Sequence, residues 1–567
     1  MKKAIIFMGI VFSLFAGVFL GEEFRDSKEY IREYSTPCLA GEWKKIISEK
    51  VNEKPIRLII NGENYTGISD TIYMNESREL MIPQDVVRDG FQTAVHCYQD
   101  KKLVIENGKN RAVILKNSNY MTIGKKKVYI GQKIIQRDGK WYIPLEAMTS
   151  GFSYSVVMDY SKNAIRITSR EGLKDTLPEK YDYRAEGRVP EVKDQGNFGT
   201  CWAFASLTAL ESSLYPEDKM VFSPENMVLN NGFISDMYSG GDYTMAIAYL
   251  ASWQGPVLES EDTYGDFVTP KNVKAEKHVQ EVQILEPNDG QKIKQMIYQY
   301  GGVQSTLYIT LLGAYSDSAY YNSEKSAYCY PFTREPNHDV VIIGWDDRYP
   351  ASNFTTKVKG DGAWICRNSW GEEFGDKGTF YVSYYDSNIA VHNICYTRIE
   401  ETDNYDSIYQ TDLCGWVGNL GFDNKNDAYF ANVYKAKKSE KLKAVSFYAP
   451  SKNAAYSIYV VDHFTGKKDL TDARVKVSEG TLSSSGYYTI PINKEIHLEA
   501  KQKFAVIVKL HTPGNTKPIA IEYQGDDMTI NARIDDGEGY YSQRGEKWSR
   551  AENEEFSICL KAFTDNQ

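Results

Sequence analysis

A single cysteine at the predicted start of a helix limits the possible folds of this 567-residue chain more than any other feature. The run "CWAFASLTALESSL", which begins at Cys201, has apolar residues at helical spacing and follows glycine, asparagine and threonine. We expect the Thr200 side chain to cap the first turn, which places Cys201 at a helix N-terminus. The helix dipole favours a thiolate there, whereas a structural cysteine belongs inside the apolar stripe. Cys201 is therefore a candidate nucleophile.

A histidine and an asparagine further along the chain could serve such a thiol. His338 precedes the apolar run 340–343, which Gly344 ends, so we expect the histidine at the mouth of a buried strand. Asn368 follows the strand-like segment 363–366 in a turn, and its neutral amide could orient an imidazole ring. Each residue alone has an ordinary explanation, as a strand-end histidine and as a turn asparagine.

The order and spacing of the three segments are more specific than any one of them. His338 lies 137 residues after Cys201, and Gln195 stands six residues before it, where a side-chain amide could stabilise an oxyanion. The segments "VPEVKDQGNFGTCWAFA", "NHDVVIIGWDD" and "NSWGEEFGDKGTFYVSYYD" resemble the three signature blocks of papain-like cysteine peptidases. In that family the histidine follows the cysteine by about 130–150 residues. The resemblance covers residues 177–399.

This resemblance implies an α+β, two-lobed domain with a cleft between a helical lobe and a β-barrel-like lobe. It implies hydrolysis of peptide bonds through a thioester acyl-enzyme, without a cofactor or a metal. Cys201 would be the nucleophile, His338 the general acid and base, Asn368 its orienting partner and Gln195 the oxyanion donor. The residues that would contact substrate or shield the site are Gly240, Gly241 and Trp370.

The chain departs from the family pattern beside the nucleophile. Phe198 occupies the place of a cysteine that usually forms a disulfide, and Thr200 replaces a common serine. Neither change alters proton transfer, and both suggest a bacterial branch of the family. No helical inhibitory segment is recognisable upstream, which leaves the control of latency open.

The N-terminus predicts export. Two lysines precede a short apolar run at residues 4–20, and two glutamates follow the run. This arrangement is typical of a secretory signal within residues 1–21, and an uncleaved N-terminal anchor is the alternative. We therefore expect a secreted or cell-surface protein, and protein or peptide substrates.

An internal repeat occupies residues 56–168. The segment "MIPQDVVRDGFQTAV" from Met81 is echoed by "YIPLEAMTSGFSYSV" from Tyr142, and each unit predicts a strand, a short helix opened by proline and a hairpin. The repeat resembles the N-terminal domain of copper amine oxidases, which implies a stalk. Copper binding is not expected, because His96 is the only histidine in the segment.

The remaining segments predict a linker and an all-β domain. Residues 169–184 are polar and are expected to link the stalk to a peptidase domain at 177–400. Short strand-like runs in residues 402–567 predict a β-sandwich that resembles the lectin-like domains following some bacterial cysteine peptidases. Such a domain would bind glycans or wall polymer. A disulfide between Cys414 and Cys559 could join its terminal strands.

Charge and motifs exclude several functions. The net charge of −10, without a basic stripe, argues against a nucleic-acid partner. The acidic loop from Asp423 fails the template of a calcium-binding helix–loop–helix, because it has neither the glycine nor the final glutamate. An exported cysteine endopeptidase is the favoured function. A surface adhesin with an inactive protease fold is the alternative, and a cell-wall cysteine amidase ranks below both.

Overall fold

The computed structural model describes residues 177–567, apart from 216, 217 and 271, and much of residues 57–169. In the latter range the gaps are 61–62, 66–71, 75–79, 92, 99–100, 108–109, 138–139, 153 and 160–163. The predicted signal or anchor at 1–21 lies outside the described residues. Within the described residues, no helix has both the length and the apolar character needed to cross a bilayer. Residues 177–567 belong to one compact unit, and the described residues between 57 and 169 belong to another.

The N-terminal unit is built from the sequence repeat. In each copy a strand leads directly into a short helix: Leu80–Pro83 into Gln84–Gly90, and Lys140–Pro144 into Leu145–Gly151. The two equivalent strands pair antiparallel, with Ile143 opposite Ile82. The proline occupies the N-cap position, immediately before each helix, and is not part of the first turn.

The other strands of this unit form hairpins around the paired repeats. Buried apolar side chains from both copies share one core. The remaining described strands are Arg57–Ile60, Glu63–Asn64, Tyr73–Met74, Ala94–Tyr98, Lys102–Asn107, Asn110–Leu115, Tyr120–Ile123, Lys126–Tyr129, Ile135–Arg137, Tyr154–Asp159 and Ala164–Ser169.

Four helices of the C-terminal unit precede or flank its large sheet. Cys201–Leu214 is buried along nearly its whole length and packs against the strand His338–Asp346. This burial explains why the helix is apolar on most of its surface rather than along one stripe. The other three helices are Pro224–Leu229, Tyr243–Ala251 and Gly290–Gln299.

One mixed sheet runs without a break from the peptidase region into the C-terminal region. His278–Leu285 pairs with Ser485–Leu498, with Glu281 opposite Tyr488. The order of its strands is Tyr321–Asn322, Ala327–Tyr328, Thr379–Ser383, Ala363–Arg367, His338–Asp346, Val303–Leu307, Asn393–Glu400, His278–Leu285, Ser485–Leu498, Glu440–Ala449, Leu560–Asn566 and Ser407–Tyr409.

The segment predicted to be a linker ends earlier than expected. Lys180–Asp182 forms a strand that pairs antiparallel with the far end of the His338 strand, where Tyr181 lies opposite Trp345. The Trp345 indole also donates to the Pro178 carbonyl at 2.8 Å. The last residues of 169–184 therefore belong to the peptidase fold, because tertiary pairing overrides their polar local pattern.

The C-terminal region is an all-β sandwich with one short helix, Asp469–Asp472. Its inner layer is the shared sheet, and buried side chains such as Phe430, Phe447 and Val506 fill the space between the layers. The outer sheet has the order Val475–Leu482, Ala454–Val461, Lys503–His511, Asp427–Lys435, Gly539–Ser542 and Ser549–Arg550. A small third sheet contains Gly418–Leu420, Ile519–Glu522 and Ser557–Ile558.

The disulfide suggested for Cys414 and Cys559 is wrong. Both side chains are buried thiols. The Cys414 thiol donates to the Gly232 carbonyl, and the Cys559 thiol donates to the Gly415 carbonyl, each at 3.1 Å. Each sulfur is thus satisfied by backbone, and the sandwich is closed by strand pairing instead of a covalent bond.

Candidate active site

Cys201 is the first residue of its helix, as the sequence predicts. The expected cap is different, however, because the Thr200 side chain makes no capping hydrogen bond. Its hydroxyl lies 2.7 Å from the Tyr264 hydroxyl, and its carbonyl accepts the N–H of Ala203 at 3.0 Å. Thr200 is fully buried, so its hydroxyl is directed towards a tertiary partner and the helix start is left uncapped by this side chain.

The Cys201 thiol lies where the helix start meets the start of the His338 strand. The Asp339 carboxylate, one residue after His338, is close enough to act on the pKa of the thiol. Burial raises the pKa of the thiol to about 12, the Asp339 carboxylate adds to this rise, and nearby backbone N–H groups oppose it. The resting thiol is therefore protonated.

His338 is held by Asn368. The imidazole Nε2 lies 2.7 Å from the Asn368 Oδ1, and both side chains are buried. The Ser369 backbone N–H also donates to that Oδ1, at 2.9 Å, which identifies the atom as the amide oxygen. Nε2 must therefore carry the proton, and Nδ1 is the ring nitrogen that can accept one. Burial lowers the pKa of His338 to about 4, so the resting imidazole is neutral.

Trp370 covers this pair. Its ring centroid lies 4.8 Å from that of His338, and its side chain is 9% exposed. On its other side the indole meets the Phe374 ring edge-on at 4.9 Å. The tryptophan thus keeps water from the imidazole and its amide partner, and a buried hydrogen bond is stronger when water is excluded.

The Gln195 side chain is buried and anchored at both ends. Its Nε2 donates to the Phe198 carbonyl at 2.8 Å, and its Oε1 accepts from the Ser369 hydroxyl at 2.6 Å. The Gln195 carbonyl accepts from the Tyr264 hydroxyl at 2.9 Å. Because an amide nitrogen carries two hydrogens, one remains to donate to another group.

Gly240 and Gly241 approach the helix start from the other side. Gly240 has a φ of +75°, which favours glycine, and a Cβ at Gly199 would lie 3.0 Å from the Gly240 nitrogen. A Cβ at Gly241 would lie 2.5 Å from the Trp202 indole. The glycine pair therefore brings bare backbone next to the residues that flank Cys201.

The sequence interpretation missed three residues of the site. Asp339 is buried, accepts from the Gln304 Nε2 at 3.2 Å, and has its pKa raised to about 7 by burial. Ser369 holds Gln195, and Tyr264 joins Gln195 to Thr200. Asp339 and Ser369 adjoin predicted residues and could have been included, whereas no local pattern marks Tyr264.

Comparison with known proteins decides the family of this region. Residues 177–399 match the family described as "Papain family cysteine protease". This region is therefore similar to the papain-family cysteine protease domain. Residues 408–564 match "Lectin like domain" and residues 59–167 match "Copper amine oxidase N-terminal domain". The three resemblances expected from the sequence are thereby confirmed.

Two curated relatives match a little over a third of the chain. Cathepsin K of Mus musculus is 28% identical over 229 residues, which are 39% of this chain and 63% of that protein. Cathepsin K of Gallus gallus is 32% identical over 218 residues, which are 35% of this chain and 57% of that protein. The chain thus spans about three fifths of the length of these relatives.

Two solved structures extend the likeness to the sandwich. The clostridial cysteine protease Cwp84 after propeptide cleavage has a TM-score of 0.61 and 27% identity, with 68% of this chain and 99% of that chain covered. The second structure contains the cysteine protease and lectin-like domains of Cwp84, a surface layer associated protein of Clostridium difficile. It matches with a TM-score of 0.61 and 27% identity, and the match covers 69% of this chain and 89% of that chain. The expected fold, an α+β papain-like core followed by an all-β region, is confirmed.

Proposed function

We propose that this chain is an exported endopeptidase that cleaves proteins through a thioester on Cys201. The observation that carries the proposal is the 2.7 Å contact between His338 Nε2 and Asn368 Oδ1, on a strand that packs against the helix begun by Cys201. That contact leaves Nδ1 as the proton acceptor. A base with a fixed tautomer next to a thiol is what nucleophilic catalysis by cysteine requires.

The first half of the reaction breaks the peptide bond. Nδ1 of His338 takes the proton of Cys201 while the sulfur attacks the carbonyl carbon. Each ion alone is disfavoured by burial, but the thiolate and the imidazolium form together and stabilise one another. The carbonyl oxygen becomes an oxyanion that accepts from the Cys201 backbone N–H and from the Gln195 Nε2.

Collapse of this intermediate completes the step. The imidazolium returns its proton from Nδ1 to the leaving nitrogen, the C–N bond breaks, and the acyl group stays on sulfur as a thioester. Water then gives a proton to Nδ1 and attacks the thioester carbon. The thiolate leaves, the acid product departs, and the proton returns from His338 to Cys201.

A pair of single substitutions tests this proposal. Cys201→Ala is expected to abolish cleavage of a denatured protein under reducing conditions, whereas Cys97→Ala, which removes an exposed thiol from the N-terminal unit, should leave it unchanged. Cleavage is followed by gel electrophoresis and mass spectrometry. If the unaltered chain cleaves no protein between about pH 5 and pH 8, the adhesin alternative is favoured instead.

We further propose that the chain acts at the cell surface and that its lectin-like domain binds glycans or wall polymer. The N-terminal lysine-flanked apolar run and the match to a lectin-like domain support this, and the Cwp84 relative is described as surface layer associated. Full-length chain with Cys201→Ala should sediment with purified wall polymer, and free sugar should release it. Failure to sediment would refute the binding proposal while leaving the peptidase proposal intact.

A further inference from the structure

Three carboxylates meet on the helical side of the protease domain, and the mechanism uses none of them. Glu225, Asp262 and Asp266 each place an oxygen within 4.8 Å of the others. Glu225, on the helix Pro224–Leu229, is fully buried and Asp262 is 2% exposed, whereas Asp266 is exposed. Among the described residues, no lysine or arginine pairs with them, and Lys193 is engaged by Glu211.

One buried oxygen of the cluster has no hydrogen-bond partner among the described residues. Asp262 Oδ2 accepts from the Asn226 amide at 2.6 Å, but Asp262 Oδ1 is buried without a donor. Burial raises the pKa of both Asp262 and Glu225, and the Asp266 carboxylate adds to both rises. An unsatisfied buried carboxylate oxygen next to two further carboxylates is costly unless a cation or a proton compensates it.

The backbone already organises two of the three carboxylates. Glu225 accepts the N–H groups of Gly265 at 2.6 Å and Val268 at 3.1 Å, which fixes the loop after Asp262 against the helix. The Val268 N–H also donates to Asp266 Oδ1, at 2.9 Å. These bonds hold the Glu225 and Asp266 carboxylates in place, but they supply no positive charge to the three groups. The loop is thus shaped around a point of high negative charge.

We propose that Glu225, Asp262 and Asp266 bind a divalent cation of the calcium type. All the donors are oxygens, which calcium prefers, and waters would fill the remaining positions. Calcium–oxygen distances of about 2.3–2.6 Å place two ligands of one ion at most about 5 Å apart. The 4.8 Å limit within the cluster fits that span.

The bound cation would stiffen a loop that supports the active site. Tyr264 lies between Asp262 and Asp266, and its hydroxyl contacts Thr200 at 2.7 Å and the Gln195 carbonyl at 2.9 Å. The Phe198 ring meets the rings of Tyr264 and Phe267 edge-on. A cation that ties this loop to the helix would therefore stabilise the start of the Cys201 helix, where Phe198 replaces the cysteine expected from the family.

Cation binding is tested on the full chain, freed of metal by a chelator. Calcium at about a hundred times its dissociation constant should raise the Tm by about 3 °C or more. Bound terbium should show luminescence sensitised by the nearby Tyr264 ring. Asp266→Asn removes an exposed ligand without disturbing the core, and it should abolish both responses. Glu261→Gln, a matched change at an exposed acid of the same loop, should preserve them.

Three results would overturn the proposal. One is an unchanged Tm and no terbium luminescence at calcium or terbium concentrations up to about 10 mM, beyond the weakest extracellular calcium sites. The second is an equal response of Asp266→Asn and Glu261→Gln. The third is a magnesium response as large as that of calcium, since the smaller ion demands a stricter geometry. Binding should persist in Cys201→Ala, so its outcome is independent of the proposed peptidase activity.

Discussion

Replacing Asn368 perturbs the charge state of His338 in a direction that the structure fixes. The 2.7 Å hydrogen bond from Nε2 raises the pKa of His338 against the larger, opposing effect of burial. Asn368→Ala removes the Oδ1 acceptor, so the imidazolium of His338 loses its hydrogen bond from Nε2. A hydrogen bond to a charged group is worth about 1.5–3 kcal/mol, so kcat/KM should fall by about 10- to 150-fold.

The sign of the pH effect separates this reasoning from a general loss of structure. Since the hydrogen bond favours imidazolium, its loss lowers the pKa of His338. His338 acts from its neutral form, so the acid limb of the kcat/KM profile should move to lower pH. Asn368→Asp keeps an acceptor for Nε2 and for the Ser369 N–H. It loses only an Nδ2 that has no hydrogen-bond partner among the described residues. Its negative charge should move the same limb to higher pH.

The assay is hydrolysis of a fluorogenic peptide from about pH 3 to about pH 9, with the Tm of each variant measured alongside. Opposite movements of the acid limb in the two variants, at similar Tm, are the expected result. If Asn368→Ala keeps kcat/KM within about twofold and neither variant moves the limb, Asn368 does not orient the catalytic base.

Four further predictions concern other parts of the unit. Asp339→Asn removes a carboxylate that raises the pKa of Cys201. As the pH is increased, thiol alkylation should therefore accelerate at a lower pH than in the unaltered chain, and an unchanged dependence of alkylation on pH would contradict this. Gln195→Ala should lower kcat by about 10²–10³-fold, measured with the same peptide, and a change confined to KM would refute its role as oxyanion donor. Gly241→Ala places a methyl group against the buried Trp202 indole and should cost about 1–3 kcal/mol in denaturant unfolding; unchanged stability would show that the loop moves freely. A chain that ends after residue 400 lacks the strand that pairs with His278–Leu285, so it should unfold at a lower temperature or aggregate. Calorimetry would detect either change, and an equal Tm would mean that the shared sheet adds no stability.

Local sequence was enough to predict the elements that carry the candidate site. The cysteine at a helix start, the histidine at a strand start and the asparagine after a strand each follow from patterns within about ten residues. The family resemblance supplied the expectation that these elements meet. The structure packs the Cys201 helix against the His338 strand, so that the Asp339 carboxylate acts on the pKa of the thiol.

The features that sequence reasoning missed depend on contacts between distant segments. The Thr200 hydroxyl has a good capping position in the sequence, but Tyr264 competes for it from a loop that no local pattern aligns. The thiols of Cys414 and Cys559 lie near the two ends of the sandwich, yet each bonds a backbone carbonyl instead of the other sulfur. The continuous sheet could not be predicted either, because pairing between strands as distant in sequence as Glu281 and Tyr488 leaves no periodic pattern in the sequence.

Trapping the acyl-enzyme tests the central claim most directly. The full chain is mixed with an activated peptide ester, quenched with acid within the first turnover, digested and mapped by mass spectrometry. One acyl group per chain, attached to the peptide that contains Cys201 and absent from Cys201→Ala, is the expected result. An acyl group on another residue, or turnover of the ester by Cys201→Ala, would contradict the account.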